Sequence, residues 1–426
     1  MPGHNVGQVN SEPSAQPGMV IRPIQQAEWP AWLAVDEEAF SDDTSPARAE
    51  RFRANMEFDR SLGAFDADLL VGVTAGLTFS MTVPGGPRPV CGVTAVAVLP
   101  SHRRRGVLSS LMRRQLADLH EGGEPVAVLY ASEAAIYQRF GYGRAADNLF
   151  FRIPTRGTAF VRHAPADPAL RLRVVRPAAA ARADMQKVFD AVQPTRPGMY
   201  ARADSKWDLL LADDPEFRGG ASARRCVIAE DDAGPRGYAL FRVKTGFTDH
   251  DVPDGELRLI ELFGLDPAAY ALLWRHMLDR DLCSRVYAAN RPVDDPIMHL
   301  LAEPRLLNAG WLDEMWVRVV DLGRAMPARA YAAPVDVVLD VRDEVCPWNA
   351  GRWRLSADAS GATCARTTDP ADIELPVSVL GAAYLGGRTL GTFAAAGVAR
   401  ETRPGALRAL STAMAWDTPP WSGLVF

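Results

Sequence analysis

Gly92-Val-Thr-Ala-Val-Ala-Val-Leu-Pro100-Ser-His-Arg103-Arg104-Arg105-Gly106-Val107-Leu108 is a valine-rich strand that ends at a proline, passes through a basic turn and opens a helix at a glycine. The first amides of a helix have no partner within it and carry a partial positive charge, so they take up phosphate. A glycine at that point has no Cβ and lets a phosphate approach the backbone. Arg103, Arg104 and Arg105 add charge of the complementary sign. The helix behind them, Val107 to His120, is amphipathic, with Val107, Leu108, Leu111, Met112, Leu116 and Leu119 on one face. On these residues alone, a solvated basic turn and a pyrophosphate seat stand level.

Upstream, Trp29 to Phe40 reads as a helix, and Ala67 to Ser80 and Val90 to Leu99 read as strands around a turn at Pro84-Gly85-Gly86-Pro87. Downstream come a strand (Val126 to Ala131), a short helix (Ser132 to Phe140) and another strand (Asp147 to Ile153). This alternation predicts a mixed α/β domain over residues 20–155. After a linker at Arg156 to Pro168, the pattern partly repeats. A helix at Ala178 to Val192 precedes strands at Cys226 to Glu230, Gly237 to Lys244 and Glu256 to Leu265. A helix at Pro267 to Asp281 and a strand at Ser284 to Ala289 follow. The shared strand–proline–helix order points to an internal duplication and a second α/β domain over 156–320. Strands at Val335 to Val341 and Arg352 to Ala357, with helical stretches at Pro376 to Leu385 and Gly405 to Trp416, make a small α+β domain over 321–426. Residues 1–19, rich in Pro, Gly, Ser, Asn and Gln, read as a disordered tail.

Across 426 residues, 48% hydrophobic and 23% charged is a globular composition. Lys plus Arg is 47 and Asp plus Glu is 52, a net charge of −5, which argues against nucleic-acid binding and suits a cationic small substrate. The five cysteines form no C-x-x-C pair and the seven histidines no H-x-x-x-H pair, so neither a disulfide scaffold nor a metal site is expected. No apolar run reaches the 18 or so residues of a membrane span, and the start lacks the apolar stretch of a signal peptide. A cytoplasmic location with no membrane partner is expected. No G-x-S-x-G elbow and no activated cysteine offers a covalent nucleophile.

About thirty residues beyond the basic turn lies Tyr130-Ala-Ser132-Glu133-Ala-Ala-Ile-Tyr137-Gln-Arg-Phe140-Gly141-Tyr142-Gly143. Ser132 suits an N-cap and Gly141 a C′ position for a two-turn helix carrying Tyr137. A tyrosine there packs in a core more often than it reacts. Its phenolic pKa near 10 nonetheless suits an acid that protonates a departing thiolate.

Together, R-R-R-G-V-L and I-Y-Q-R-F-G-Y-G resemble the GNAT superfamily of N-acetyltransferases, and within it the enhanced intracellular survival (Eis) aminoglycoside acetyltransferases of actinobacteria. The likeness is best over Gly92 to Arg144 and extends more weakly along the whole chain. Leu108, at the last position of the superfamily pattern R-x-x-G-x-G/A, departs from it in the manner of the Eis-like branch. The resemblance implies tandem GNAT-like domains followed by a sterol-carrier-like domain, with acetyl-CoA as acyl donor. Val96, Ala97 and Val98 would pair with the pantetheine arm. Arg104, Arg105, Gly106, Val107, Leu108 and Ser109 would hold the pyrophosphate, with Arg103 adding charge and Ser132 and Glu133 nearby. Tyr137 would protonate the departing CoA, the terminal carboxylate of Phe426 would assist deprotonation of the amine, and amides around Val96 would hold the oxyanion. Trp29, Phe40 and Asp42 would line the substrate pocket, where an ammonium meets aromatic faces and a carboxylate. Val425 stands where some relatives carry an acid. The implied acceptors are aminoglycosides, other polyamines or a lysine side chain, and the implied assembly is a homohexamer.

The end Pro419-Pro420-Trp421-Ser-Gly-Leu-Val-Phe426 is apolar and gains by packing inside. In the second half, Leu265-Asp266-Pro267 stands where the first has its arginines and glycine. It brings a negative charge and a residue without N–H, so one CoA site per chain is expected. Asp36, Glu37 and Glu38, with Asp42 and Asp43, read either as a solvated helix face or as the rim of a cation-attracting pocket. Two other functions share this layout: an acyltransferase using a longer acyl-CoA, and a lipid-binding protein built around the sterol-carrier-like domain.

Overall fold

The computed structural model describes residues 18–426 and arranges them in three mixed sheets. The first draws on Met19–Pro23 (β1), Leu62–Asp66 (β2), Leu69–Val83 (β3), Gly86–Val98 (β4), Val126–Tyr130 (β5) and Gly143–Arg144 (β6). Asp147–Pro154 (β7), Arg171–Val175 (β8), Arg225–Asp231 (β9), Gly234–Lys244 (β10), Gly255–Gly264 (β11), Cys283–Pro292 (β12) and Gly310–Asp313 (β13) make the second sheet. Of the tail read at 1–19, residues 1–17 lie outside the described residues.

The two large sheets repeat one plan, and each completes the other. The strand Met315–Val319 (β14) follows the second sheet in sequence, yet it pairs antiparallel with β5 and β6 in the first, giving the order β1-β2-β3-β4-β5-β14-β6. Conversely, β7 follows the first sheet in sequence but pairs with β12 and β13, giving β13-β7-β12-β11-β10-β9-β8. In both sheets an antiparallel meander meets its next neighbour in parallel, β4 with β5 and β11 with β12. The crossover in each is a helix, Val107–Glu121 and Pro267–Leu278, because parallel neighbours cannot be joined by a tight turn.

The helix Trp29–Phe40 has the expected limits, and its Trp29, Trp32 and Val35 are buried against the first sheet. The short helix over Ser132 to Phe140 differs from expectation. Its α-helical part is Ala134–Tyr137, with Glu133 at the N-cap and no side-chain cap bond, because the chain is still extended at Glu133 (φ −132°, ψ 104°). It finishes in a 3₁₀ turn, Gln138–Phe140, before Gly141.

The third sheet takes Val335–Arg342 (β15), Gly351–Asp358 (β16), Gly361–Arg366 (β17), Ile373–Pro376 (β18) and Arg400–Glu401 (β19), in the order β17-β16-β15-β18-β19. The helix Val377–Ala383 docks it onto β6 and β14. The approach is close: a Cβ on Gly143 would strike the Ser378 carbonyl. One hydrophobic core therefore runs from Val126 and Val317 of the first sheet into Leu339, Leu355 and Leu375 of the third and Leu410 of the helix Ala406–Met414. No helix among the described residues is long and apolar enough to cross a membrane.

Candidate active site

The parallel pairing of β4 with β5 covers only Cys91 with Ala127 and Gly92 with Val128. Beyond Gly92 the two strands separate. On its other side, β4 pairs Thr94 with Ala75 and then Ala97 with Val73, which leaves Ala95 and Val96 out of the ladder, with Ala95 at φ 50°. This bulge re-aims the strand, and Val96 to Val98 present backbone to the gap beside β5.

The gap leads to the basic turn. Gly106 is the N-cap of the Val107–Glu121 helix at φ 78°, a left-handed conformation that glycine adopts without strain. Gly106 itself brings no side chain to cap the helix start. A cavity of about 730 Å³ lies over this start. Its lining holds Val96, Ala97, Val98, Arg103, Arg104, Gly106, Val107, Leu108, Ser109, Ser132, Glu133 and Tyr137. Of the cofactor residues named from sequence, Arg105 alone is outside this lining, and it is exposed. Ala39, His102, Ile136 and Arg139 also line the cavity and carried no signal of their own in the sequence.

Tyr137 is 5% exposed and lines the cavity, and its phenol has no hydrogen-bond partner among the described residues. Burial, with the Glu133 carboxylate beside it, pushes the phenol up to about 12. This corrects the value near 10 assumed from the free side chain. The group keeps its proton at any working pH and is a weaker acid than sequence alone suggested.

The last eight residues are held at several points. Arg196 donates to the Pro419 carbonyl at 2.8 Å, and the Trp421 amide donates to Pro197 at 2.9 Å. The Trp421 ring enters the core of the second half, 5.8 Å from Phe263. The Phe426 ring then crosses to the first sheet, where Phe79 (4.7 Å), Tyr130 (5.1 Å) and Tyr200 (5.7 Å) surround it. Gly92 makes room for it: a Cβ there would lie 2.7 Å from the Phe426 ring. The Thr94 hydroxyl donates to a terminal oxygen of Phe426 at 3.1 Å. The carboxylate thus stands beside Thr94, two residues along β4 from Val96, and neither Phe426 nor Thr94 is in the cavity lining that holds Tyr137. Phe79, Thr94, Tyr130, Tyr200 and Ser422 were missed by sequence reasoning.

The three residues expected around the substrate are not brought together. Phe40 is 47% exposed and lines the cavity. Trp29 does not; it is buried, stacked on Trp32 at 5.4 Å and edge-on to Phe52 and Phe58. Asp42 is also outside the lining, in a half-exposed ion pair with Arg48 at 2.7 Å. Within the acidic cluster Asp36 is set apart. One of its oxygens is buried without a hydrogen bond, and burial pushes its carboxyl up to about 6.

The second half closes the corresponding helix start. The Asp266 side chain accepts from the amides of Ala268 and Ala269, both at 2.9 Å, and Pro267 has no N–H to offer. Beyond its parallel pairs, β11 carries the buried Glu261, bound to Arg202 at 2.7 Å and to the Tyr238 hydroxyl at 2.8 Å. Among the described residues no cluster of His, Cys, Asp and Glu has the arrangement of a metal site.

Comparison with known proteins agrees with this geometry. Residues 20–145 and 198–319 each match an acetyltransferase (GNAT) domain, and residues 322–423 match a sterol carrier protein domain. An uncharacterised N-acetyltransferase of Streptomyces avermitilis is 45% identical over 409 residues, spanning 94% of this chain and 98% of that one. N-acetyltransferase Eis of Mycobacterium tuberculosis is 33% identical over 414 residues, covering 94% and 97%. The crystal structure of Eis1 from Mycobacterium abscessus, 33% identical, superposes with a TM-score of 0.80 over 96% of this chain and 100% of that one.

Proposed function

The chain belongs to the Eis-type N-acetyltransferases of the GNAT superfamily, and on that premise we propose that it carries the acetyl group of acetyl-CoA to an amine of a cationic small molecule, an aminoglycoside, another polyamine or a lysine side chain. One observation carries this reading: the helix start at Gly106, the arginine turn, the open backbone of Val96 to Val98 and Tyr137 share one cavity. Arg103 and Arg104, with the helix-start amides, hold the pyrophosphate of the donor. Val96 to Val98 take its pantetheine amides as a further strand would, and the amides at the bulge face the carbonyl oxygen where negative charge develops.

The amine attacks the thioester carbon with its lone pair, and the carbon–sulfur bond breaks as the amide forms. Tyr137 donates its proton to the departing sulfur. With the phenol near 12 and a thiol near 8.5, that transfer runs uphill unless the tyrosinate recovers a proton from the newly bonded ammonium, which is the proton the reaction must shed. The Phe426 carboxylate receives the incoming ammonium and assists the loss of one proton from it to solvent, which frees the lone pair that attacks, and Thr94 holds one of the carboxylate oxygens. No acyl-enzyme is required.

The test is release of free thiol from acetyl-CoA across a panel of amines: aminoglycosides, linear polyamines and lysine peptides. Amine-dependent release by the wild-type chain is expected. Absence of release with every amine, together with uptake of lipid, overturns the reading in favour of a lipid carrier.

A further inference from the structure

Glu314 is the single residue between β13 and β14, at the point where the chain leaves the second sheet for the first. It is 2% exposed and has no basic partner among the described residues. What it has instead is the C-terminal segment. The Ser422 amide donates to its two oxygens at 3.3 and 3.4 Å, the Ser422 hydroxyl lies 3.2 Å from one of them, and the Gly423 amide donates as well. Ser422 in turn accepts from the Tyr130 hydroxyl and, at 3.0 Å, from the Leu424 amide. The other titratable groups around Glu314 are Asp147 of β7, tied to Arg388 and Arg144, and the phenols of Tyr130 and Tyr200. Burial, with the Asp147 charge nearby, pushes the Glu314 carboxyl up to about 8 against the pull of the tail's donors.

We propose that Glu314 is a positioning residue for acetyl transfer: through Ser422 and Gly423 it fixes the final residues of the chain and so sets where the Phe426 carboxylate stands beside Thr94. Trp421 anchors one end of this segment in the second half and the Phe426 ring lies on the first sheet. Between them Ser422 is held by Glu314 and by the Tyr130 hydroxyl. Val425, 61% exposed, contributes no anchor. Replacing Glu314 by alanine leaves the Ser422 and Gly423 amides without this acceptor, while the Ser422 hydroxyl keeps the Leu424 carbonyl at 2.7 Å; the loss of the amide contacts favours a tail that lifts away. The inference rests on the reading of the Phe426 carboxylate given above.

The experiment uses the full-length protein and two readouts: release of phenylalanine by carboxypeptidase A, and kcat and KM for acetyl transfer. In Glu314→Ala, phenylalanine release is expected to rise about tenfold and kcat to fall about tenfold, with KM for acetyl-CoA changed by less than about twofold. Glu314→Gln keeps an acceptor oxygen for the tail and is expected to recover most of both losses. Unchanged phenylalanine release in Glu314→Ala overturns the proposal, as does a fall in kcat without faster release. Should Glu314→Ala fail to fold, Ser422→Ala removes the bridging hydroxyl and carries the same expectations. Truncation of Phe426 separates the two claims. Full turnover in the truncated chain refutes the carboxylate's part in the reaction, and the release assay still decides whether Glu314 seats the tail.

Discussion

The two large sheets share a strand order, a parallel pair and a crossover helix, yet they treat the start of that helix in opposite ways. At Gly106 the chain enters through a left-handed glycine that brings no side chain to cap the helix, beneath an open cavity. At Asp266 the side chain occupies the first amides itself, and Arg236 neutralises it at 2.8 Å. A helix start can be used by the protein or left for a ligand, and the choice costs one residue. Further along, Tyr137 follows β5, whereas the short helix after β12, Ile297–Leu300, carries no phenol. The second half thus retains the plan of the first with its helix-start amides capped and without the tyrosine.

The sharpest way to break this contrast is to move the second half's solution into the first. Gly106→Asp sets a carboxylate where the pyrophosphate is expected, a like-charge contact costing several kcal/mol, so acetyl-CoA affinity should fall about a thousandfold by calorimetry. Binding within tenfold of wild type would mean the phosphate is held elsewhere. Next in size is Tyr137→Phe. Removing the acid should lower kcat about a hundredfold while acetyl-CoA affinity stays within about twofold. Weakened cofactor binding with normal turnover would instead make the tyrosine a wall of the cavity.

The arginines sharpen the comparison further, because the second half has none at its turn. Arg104 lines the cavity and Arg105 does not. Arg104→Ala should weaken acetyl-CoA binding about tenfold, the loss of a charge-assisted contact. Arg105→Ala should change it less than about twofold, as an exposed charge does. Equal losses at the two positions would place the pyrophosphate on the outer side of the turn.

What could be read in advance was local. A helix start is set by a few neighbouring residues, so the passage from Pro100 to Leu108 announced its own geometry; at Asp266-Pro267 the charge and the missing N–H could be read, but not the cap that Asp266 places on Ala268 and Ala269. The exchange of β7 and β14 between sheets could not be read, because strand pairing is decided by partners more than a hundred residues away and both strands look ordinary in isolation. The cage around Phe426 was hidden for the same reason: Phe79, Tyr130 and Tyr200 come from three distant segments. Glu314 left only one trace, as the second of two acids, after Asp313, between Leu312 and the apolar pair Met315-Trp316. Its burial depends on the chain end folding over it. Trp29 shows the converse, since an aromatic suited to a substrate pocket serves equally well against Trp32 and Phe52 in a core.

The smallest expected effect probes how little separates the two halves. Asp266→Ala removes an N-cap and leaves the Ala268 and Ala269 amides without their acceptor, at a cost of about 1 kcal/mol. The thermal midpoint should drop by about 2 °C, and acetyl transfer should be unaffected, since Asp266 lies in the half without Tyr137. The informative measurement is stoichiometry. With the carboxylate gone, the helix start carries two open amides and Arg236, which stays paired with Asp231 at 2.9 Å, so one of the three features present at Gly106 is restored and a second only in part. The third, a backbone that a phosphate can approach, is still denied by Pro267, whose ring replaces an N–H. Calorimetry should therefore still find one acetyl-CoA per chain. Two per chain would show that a single aspartate, rather than the proline and the missing arginine turn, keeps the second half from binding.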